Sequence, residues 1–317
     1  MTTARETGIL TVAAIRSGKN RPVEYIFNER QRIFTLAEKA ASDERKSGYL
    51  KAARGRNRPV KVVMNLRRAL IERVSEPTKR ELGEYRRKRV PLEKPDKVVR
   101  IQVGKIDPTT FNFADTYLKW PAFRRCTKIV PNYAKAKQIF DFCAQLSCHL
   151  PGPYPVPPCI PFQYVRDGCY ARAHQMRRII TTRYGYCCEK VFSFANQGND
   201  TLAVKADKWG GCCVTWWYHV APLIRVRLKL RGCRGAKLVL AMVIDPGMFD
   251  KPVLLSTWLA AQENMGCSPD ANVSAYSIQP GSAYGPANYA GTAFVTDPGY
   301  VDTLNTLVGY SGLTTCP

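Results

Sequence analysis

Three residues far apart in the chain have the types and settings for acyl-transfer chemistry. Asp167-Gly168 is a turn or N-cap signal. The apolar positions Ala171, Ala173, Met176, Ile179 and Ile180 behind it predict a helix from Cys169 to about Tyr184. A cysteine at the first position of a helix lies among unpaired backbone N–H groups at the positive end of the helix dipole, which favours its thiolate. The same N–H groups can receive the oxyanion of an acyl-transfer intermediate. A cysteine nucleophile needs a base, and the chain holds three histidines. His174 lies further along the same helix, about 140° around its axis at 3.6 residues per turn, so it points away from Cys169 and reads as a surface or packing residue. His149 borders a proline-rich loop and reads as structural. His219 stands in Trp216-Trp217-Tyr218-His219-Val220-Ala221, an aromatic strand where a polar ring requires a partner.

That partner follows from a hairpin. Cys213–Leu230 and Lys237–Asp245 read as strands, with Arg231-Gly232-Cys233-Arg234-Gly235 as the turn between them. A turn centred near Gly232 places His219 opposite Asp245, a register that Pro222 can displace by one residue. A carboxylate opposite the histidine has the orienting role that Asp or Asn plays in Cys-His hydrolases. Trp217 and Tyr218, flanking the histidine, are expected to wall a substrate pocket or to pack in the core.

The rest of the chain divides by composition. The 317 residues are 45% hydrophobic, enough for two domains with their own cores. Residues 1–110 hold 27 Lys and Arg against 13 Asp and Glu, whereas 111–317 hold 21 against 12. Cysteine runs the other way: all 12 lie between Cys126 and Cys316. The expected division is therefore 1–125, basic and cysteine-free, and 126–317. Val23–Phe27 and Arg32–Leu36 read as short strands, Ser42–Arg54 as a helix capped by Ser42, Pro59–Leu66 as a strand, Pro77–Arg89 as a helix and Lys97–Val103 as a strand: a small α+β domain. The loose segment from Pro108 ends in the dibasic Arg124-Arg125, which fits a protease site in a linker and equally two solvated charges. Beyond it, Asn132–Leu146 reads as a helix and Lys190–Phe194 as a strand.

Several function classes are disfavoured. No apolar stretch reaches the roughly 18 to 20 residues that span a bilayer, so no membrane partner is expected. Gly8–Ile15 is apolar like a signal-peptide core, but it is short, follows Glu6 and lacks a small-residue cleavage site. Cysteine this dense points to an oxidising destination, secreted or periplasmic. Cys148 and Cys159, flanking Pro151–Pro158, are the expected local disulfide. Without a C-x-x-C pair, and with so few histidines, neither a metal nor a cofactor is expected. The net charge of +23 admits a nucleic-acid-binding module, but the basic residues are spread out, no binding motif appears, and none lies beyond Lys251. No specific nucleic-acid partner is expected, and the chain is read as a monomer.

Four segments in order carry a family resemblance: Asp167-Gly168-Cys169-Tyr170-Ala171-Arg172-Ala173-His174, Tyr186-Cys187-Cys188-Glu189-Lys190, Cys212 to Ala221, and Ile244-Asp245-Pro246. Together they resemble the bacterial protein-glutaminases over about 126–270. The resemblance implies a papain- or transglutaminase-like α+β core with an antiparallel sheet. It also implies a catalytic triad of Cys169, His219 and Asp245, and a substrate that is a glutamine-containing protein or peptide. Members of that family are made with a pro-region, implying that 1–125 is inhibitory, that a protease cuts near Arg125, and that Cys126 begins the mature part. It further implies a glutamine presented to the catalytic cysteine. Only Gln31 and Gln102 are available in the first 125 residues, and Gln31, between two strands, is the freer to project. Arg30 before it departs from the small residue the family tends to have.

Three readings use the same site differently. A transglutaminase would open the thioester with an amine instead of water. A deamidating effector toxin would differ in destination. A papain-like protease would use Gln163, six residues before Cys169, as its oxyanion glutamine, but there the histidine follows much later in the chain.

Overall fold

The structure, a computed structural model, describes residues 5–18, 21–36, 40–88, 99–102, 128–196, 198–229, 237–288 and 293–316. The first part is a closed barrel with strand order β1-β2-β3-β5-β4. Its elements are β1 (Arg5–Gly18), β2 (Arg21–Phe27), β3 (Ile33–Leu36), α1 (Ala40–Gly55), β4 (Pro59–Asn65) and β5 (Leu70–Ser75). The apolar stretch that has the look of a signal core is the middle of β1, which pairs antiparallel with both β2 and β4. In β4, Val60, Val62 and Met64 point inward at every second position, the period of a half-buried strand. A parallel pairing of β3 with β5 closes the barrel. Ser42 lies inside α1 rather than capping it, since that helix begins at Ala40. Helix α2 (Lys79–Lys88) follows, and then β6 (Val99–Gln102).

The strand expected at Lys97–Val103 is present as β6, yet it belongs to another sheet. It pairs antiparallel with β13 (Ala275–Gln279), at the edge of a six-stranded sheet of order β12-β11-β10-β7-β13-β6. The N-terminal region thus contributes a strand to the second half of the molecule.

That second half contains α3 (Tyr133–Ala144), α4 (Cys169–Thr182), β7 (Glu189–Phe194), β8 (Leu202–Lys205) and β9 (Cys213–Trp216). Beyond these come β10 (Tyr218–Lys229), β11 (Lys237–Val243), β12 (Val253–Leu254), α5 (Leu255–Ala260) and then β13. The ribbon of β14 (Ala283–Pro286) and β15 (Phe294–Thr296) and the last helix, α6 (Val301–Tyr310), complete it. The single strand expected at Cys213–Leu230 is broken at Trp217 into β9, which pairs with β8, and β10, which enters the main sheet. Both faces of this sheet are buried. Phe192, Val220, Ile224, Leu240 and Met242 pack on the side of α3 and α4, while the alternate residues Val191, Ala221, Leu223, Ala241 and Val243 pack with Trp258 on the other.

Three disulfides tie this half together among the described residues: Cys148–Cys159, as expected around the proline loop, Cys212–Cys316 and Cys213–Cys267. Arg124, Arg125, Cys126 and the hairpin turn at 231–235 lie outside the described residues. No described helix is long and apolar enough to cross a membrane.

Candidate active site

Gly168 adopts φ 80°, a left-handed conformation favouring glycine, and a Cβ there would meet the Tyr310 ring at 2.8 Å. This turn starts α4 at Cys169, the position expected from the sequence. The Cys169 backbone N–H donates to Gln31 Oε1 at 3.3 Å.

His219, on β10, makes two side-chain bonds. Its Nε2 donates to Asp245 Oδ2 at 2.8 Å, because a carboxylate only accepts, and Nδ1 is left with its lone pair. Gln31 Nε2 donates to that Nδ1 at 3.0 Å. The Gln31 carboxamide therefore spans the space between Cys169 and His219, its oxygen on the helix N–H and its nitrogen on the imidazole.

The hairpin register differs from expectation by two residues. Observed pairs such as Leu223 with Val243 and Lys229 with Lys237 centre the turn at residue 233, so that Ala221 would stand opposite Asp245. A two-residue shift keeps every side chain on its face, and Asp245 remains on the side of His219.

Two tryptophans that the sequence did not single out for the site shape it. The His219 ring stacks on Trp216 at 4.6 Å between centroids, and on Trp258 at 5.3 Å. Trp258 Nε1 also donates to Asp245 Oδ2 at 3.0 Å. Burial alone would raise the Asp245 pKa, but the hydrogen bond and charge of His219, together with Trp258, hold it below the usual carboxylate range. Cys169 behaves oppositely: burial pushes its thiol well above the ordinary range, against the pull of the Arg172 charge. The helix start favours a thiolate, but in this covered state desolvation wins.

Trp217 and Tyr218 divide the role expected of them. Trp217 donates through Nε1 to the carbonyls of Phe27 at 3.1 Å and Arg30 at 2.5 Å, and through its backbone N–H to Gln31 O at 3.3 Å. It holds the β2–β3 hairpin in place. Tyr218 lines a cavity of about 860 Å³ between the barrel and α6, its hydroxyl buried without a hydrogen-bond partner.

The other expectations sort cleanly. His174 is not a surface residue: it is buried, accepts from Lys190 Nζ at 2.7 Å and donates to Asp297 O at 3.2 Å. Burial, with Lys190 and Arg177 nearby, pushes its pKa to about 2, so the ring is neutral. His149 is structural, sharing a hydrogen bond with Ser147 Oγ at 2.5 Å and packing edge-on to Trp209. The Gln163 amide donates to Ser311 O at 2.8 Å, so it does not act as an oxyanion donor in this state. Among the described residues no group of His, Cys, Asp and Glu is placed to hold a metal ion.

A family model described as Glutaminase matches residues 136–262. A crystal structure of pro- protein-glutaminase superposes with a TM-score of 0.69 at 25% identity, covering 99% of this chain and 95% of that one. A crystal structure of protein-glutaminase is 32% identical, with 60% of this chain and 92% of that one covered, at a TM-score of 0.50. The chain belongs to the protein-glutaminase family. Comparison with curated proteins returned no match. The structure titled as the pro- form of protein-glutaminase is matched over nearly all of this chain, so the likeness includes the barrel and not only the part that carries Cys169. The mixed α+β architecture with an antiparallel main sheet is the fold expected from the resemblance.

One cluster beside the glutamine had no signal in the sequence. The Arg30 guanidinium is buried and donates to the hydroxyls of Tyr170 and Tyr310 and to the Glu6 carboxylate. Asp167 Oδ2 lies 3.9 Å away and accepts from Tyr310 at 3.0 Å. Sequence order separates these residues widely, and only folding brings them together.

Proposed function

We infer that this protein is a protein-glutaminase that hydrolyses the side-chain amide of protein- or peptide-bound glutamine to glutamate and ammonia. One observation carries the reading: the Gln31 carboxamide lies with its oxygen on the Cys169 N–H and its nitrogen on His219 Nδ1. A substrate glutamine in that place has its carbonyl polarised and its leaving nitrogen next to a base.

In the proposed mechanism His219 Nδ1 takes the Cys169 thiol proton, the thiolate adds to the amide carbon, and the resulting oxyanion is received by the Cys169 N–H. His219 Nδ1 passes a proton to the departing nitrogen, ammonia leaves, and a thioester remains. The same nitrogen then deprotonates a water, which opens the thioester to glutamate and returns the thiol. Asp245 fixes the imidazole tautomer and stabilises its cation, and Trp258 fixes Asp245.

Residues 1–125 are proposed as an inhibitory pro-region, with Gln31 as a built-in substrate mimic and activation by a protease near Arg125. The full burial of Gln31 and the raised Cys169 pKa support a latent state. The three disulfides support a secreted or periplasmic location. The test is ammonia release from a glutamine-containing peptide after limited proteolysis of the full chain, with and without an added primary amine. Release of ammonia matched by new glutamate is expected in both arms. Amine incorporation in place of glutamate would make the protein a transglutaminase, and no release at all would refute the reading.

A further inference from the structure

The catalytic half grips the segment around Gln31 by its main chain. The Trp217 N–H donates to Gln31 O and the Trp217 indole to Arg30 O, while Arg32 forms an antiparallel bridge with Trp216. Any peptide offers these groups, so a substrate whose glutamine takes the place of Gln31 acquires the same register. Its preceding side chain then enters the space that Arg30 occupies here.

That space is built for a cation. Tyr170, Tyr310 and Asp167 all belong to the catalytic half, and only Glu6 comes from the barrel. Asp167 is fully buried, its carboxylate accepting from the Gly168 N–H at 2.8 Å and from the Tyr310 hydroxyl at 3.0 Å. Without Arg30 and Glu6 the pocket keeps the Asp167 carboxyl and the two phenol oxygens turned toward the place of the guanidinium, an acceptor set that fits a cationic side chain. On the other side of the glutamine, Arg32 donates to the barrel carbonyls of Leu66 and Arg67 and to the Tyr164 hydroxyl, with no carboxylate pairing it among the described residues.

We propose that Asp167, Tyr170 and Tyr310 form a subsite for a cationic side chain on the residue immediately before the target glutamine. This rests on Gln31 occupying the substrate's place. The overall charge works against it, since 111–317 carry 21 basic against 12 acidic residues and repel a cationic peptide at long range. A preference for such a peptide therefore reports the local contact.

The test uses the full chain opened by limited proteolysis and four blocked peptides: Arg-Gln-Gly, Ala-Gln-Gly, Glu-Gln-Gly and Ala-Gln-Arg. Deamidation of Arg-Gln-Gly is expected with a kcat/KM about tenfold or more above Ala-Gln-Gly. Glu-Gln-Gly should fall below both, and Ala-Gln-Arg should stay near Ala-Gln-Gly. Asp167→Asn should shrink the Arg-over-Ala ratio to within about twofold, and Tyr310→Phe should reduce it partly, keeping the test alive if the first variant does not fold. Turnover of Ala-Gln-Gly with no gain for Arg-Gln-Gly, or an equal gain for Ala-Gln-Arg, overturns the subsite while leaving the glutaminase reading intact. Turnover of none of the four refutes that reading and the subsite with it.

Discussion

The barrel of residues 5–75 and the half that carries Cys169 meet in one body but are held together by different means. The barrel has no cysteine, and its core of Val12, Phe27, Phe34 and Val62 continues directly into Tyr164, Tyr310 and Leu313 of the other half. Among the described residues, the catalytic half has three mapped disulfides and a sheet buried on both faces. One part relies on its neighbour for packing, and the other is cross-linked within itself. This difference fits the proposed roles of a removable cover and an enzyme that outlasts it. Strand β6 is the exception, because it pairs with β13 and protects a sheet edge that would otherwise be open.

The two halves differ most in chemistry. If activity resides wholly in the catalytic half, Cys169→Ala should lower ammonia release from the opened protein by at least about 10⁴-fold. Its unfolding transition should be unchanged, and residual turnover in a folded variant would remove Cys169 from the mechanism. Asp245→Asn should cost up to about 10⁴-fold, while Trp258→Phe, which removes one donor to the same carboxylate, should cost about tenfold. Equal rates for Trp258→Phe and the parent would show that Asp245 needs no such support.

The halves differ next in stability. Cys212–Cys316 closes a loop of sequence separation 104, for which loop-closure entropy gives about 4 to 5 kcal/mol. Cys316→Ser should therefore destabilise the catalytic half steeply and leave barrel unfolding, followed by amide hydrogen exchange in β1–β5, less affected. Four of the five tryptophans, Trp209, Trp216, Trp217 and Trp258, lie in the other half, so indole fluorescence reports chiefly on it. Equal losses in both signals would show that the two halves unfold as a single unit.

Much of the candidate site was legible because its chemistry is local or scarce. A turn signal and an apolar stripe located Cys169, and with three histidines in the chain the aromatic strand singled out His219. Asp245 was found despite a hairpin centre misjudged by one residue, since the resulting shift is even and preserves the face. The barrel was far less legible. Its β1 reads as a run of small and apolar residues without strict alternation, because it pairs on both edges and bends between two partners. Short β5 had no distinguishing pattern, and the parallel β3–β5 closure joins segments separated by a helix and a strand. Trp258 sits in a six-residue helix whose sequence looks like ordinary core, and only the tertiary fold brings it to Asp245.

The cover itself supplies a smaller effect. Gln31→Ala in the intact chain removes the two bonds to Cys169 and His219 but leaves the hydrophobic seam, so latency should weaken about tenfold and not vanish. Ammonia release from the uncleaved variant measures this. A variant as silent as the parent would assign latency to the seam alone.

The mildest effect is a pH dependence confined to one half. The barrel contains no histidine, whereas His174 is buried in the other half with its pKa pushed to about 2. The unfolded chain binds a proton at this residue near pH 6.5 and the folded chain does not, so acid favours the unfolded state. The contribution of neutral His174 is complete above that pH and declines below it, by about 1 kcal/mol between pH 6.5 and 5.5. Denaturant unfolding read by indole fluorescence at the two pH values should show that decline, and His174→Gln should flatten it. The burial that excludes the proton also leaves Lys190 donating to His174 Nδ1 and to Ala283 O, and a glutamine amide can accept from Lys190 but lacks the ring's volume and its contacts with Tyr284 and Tyr300. The variant is thus expected to be less stable at both values yet less sensitive to the change, and an undiminished slope would place the acid response on another group.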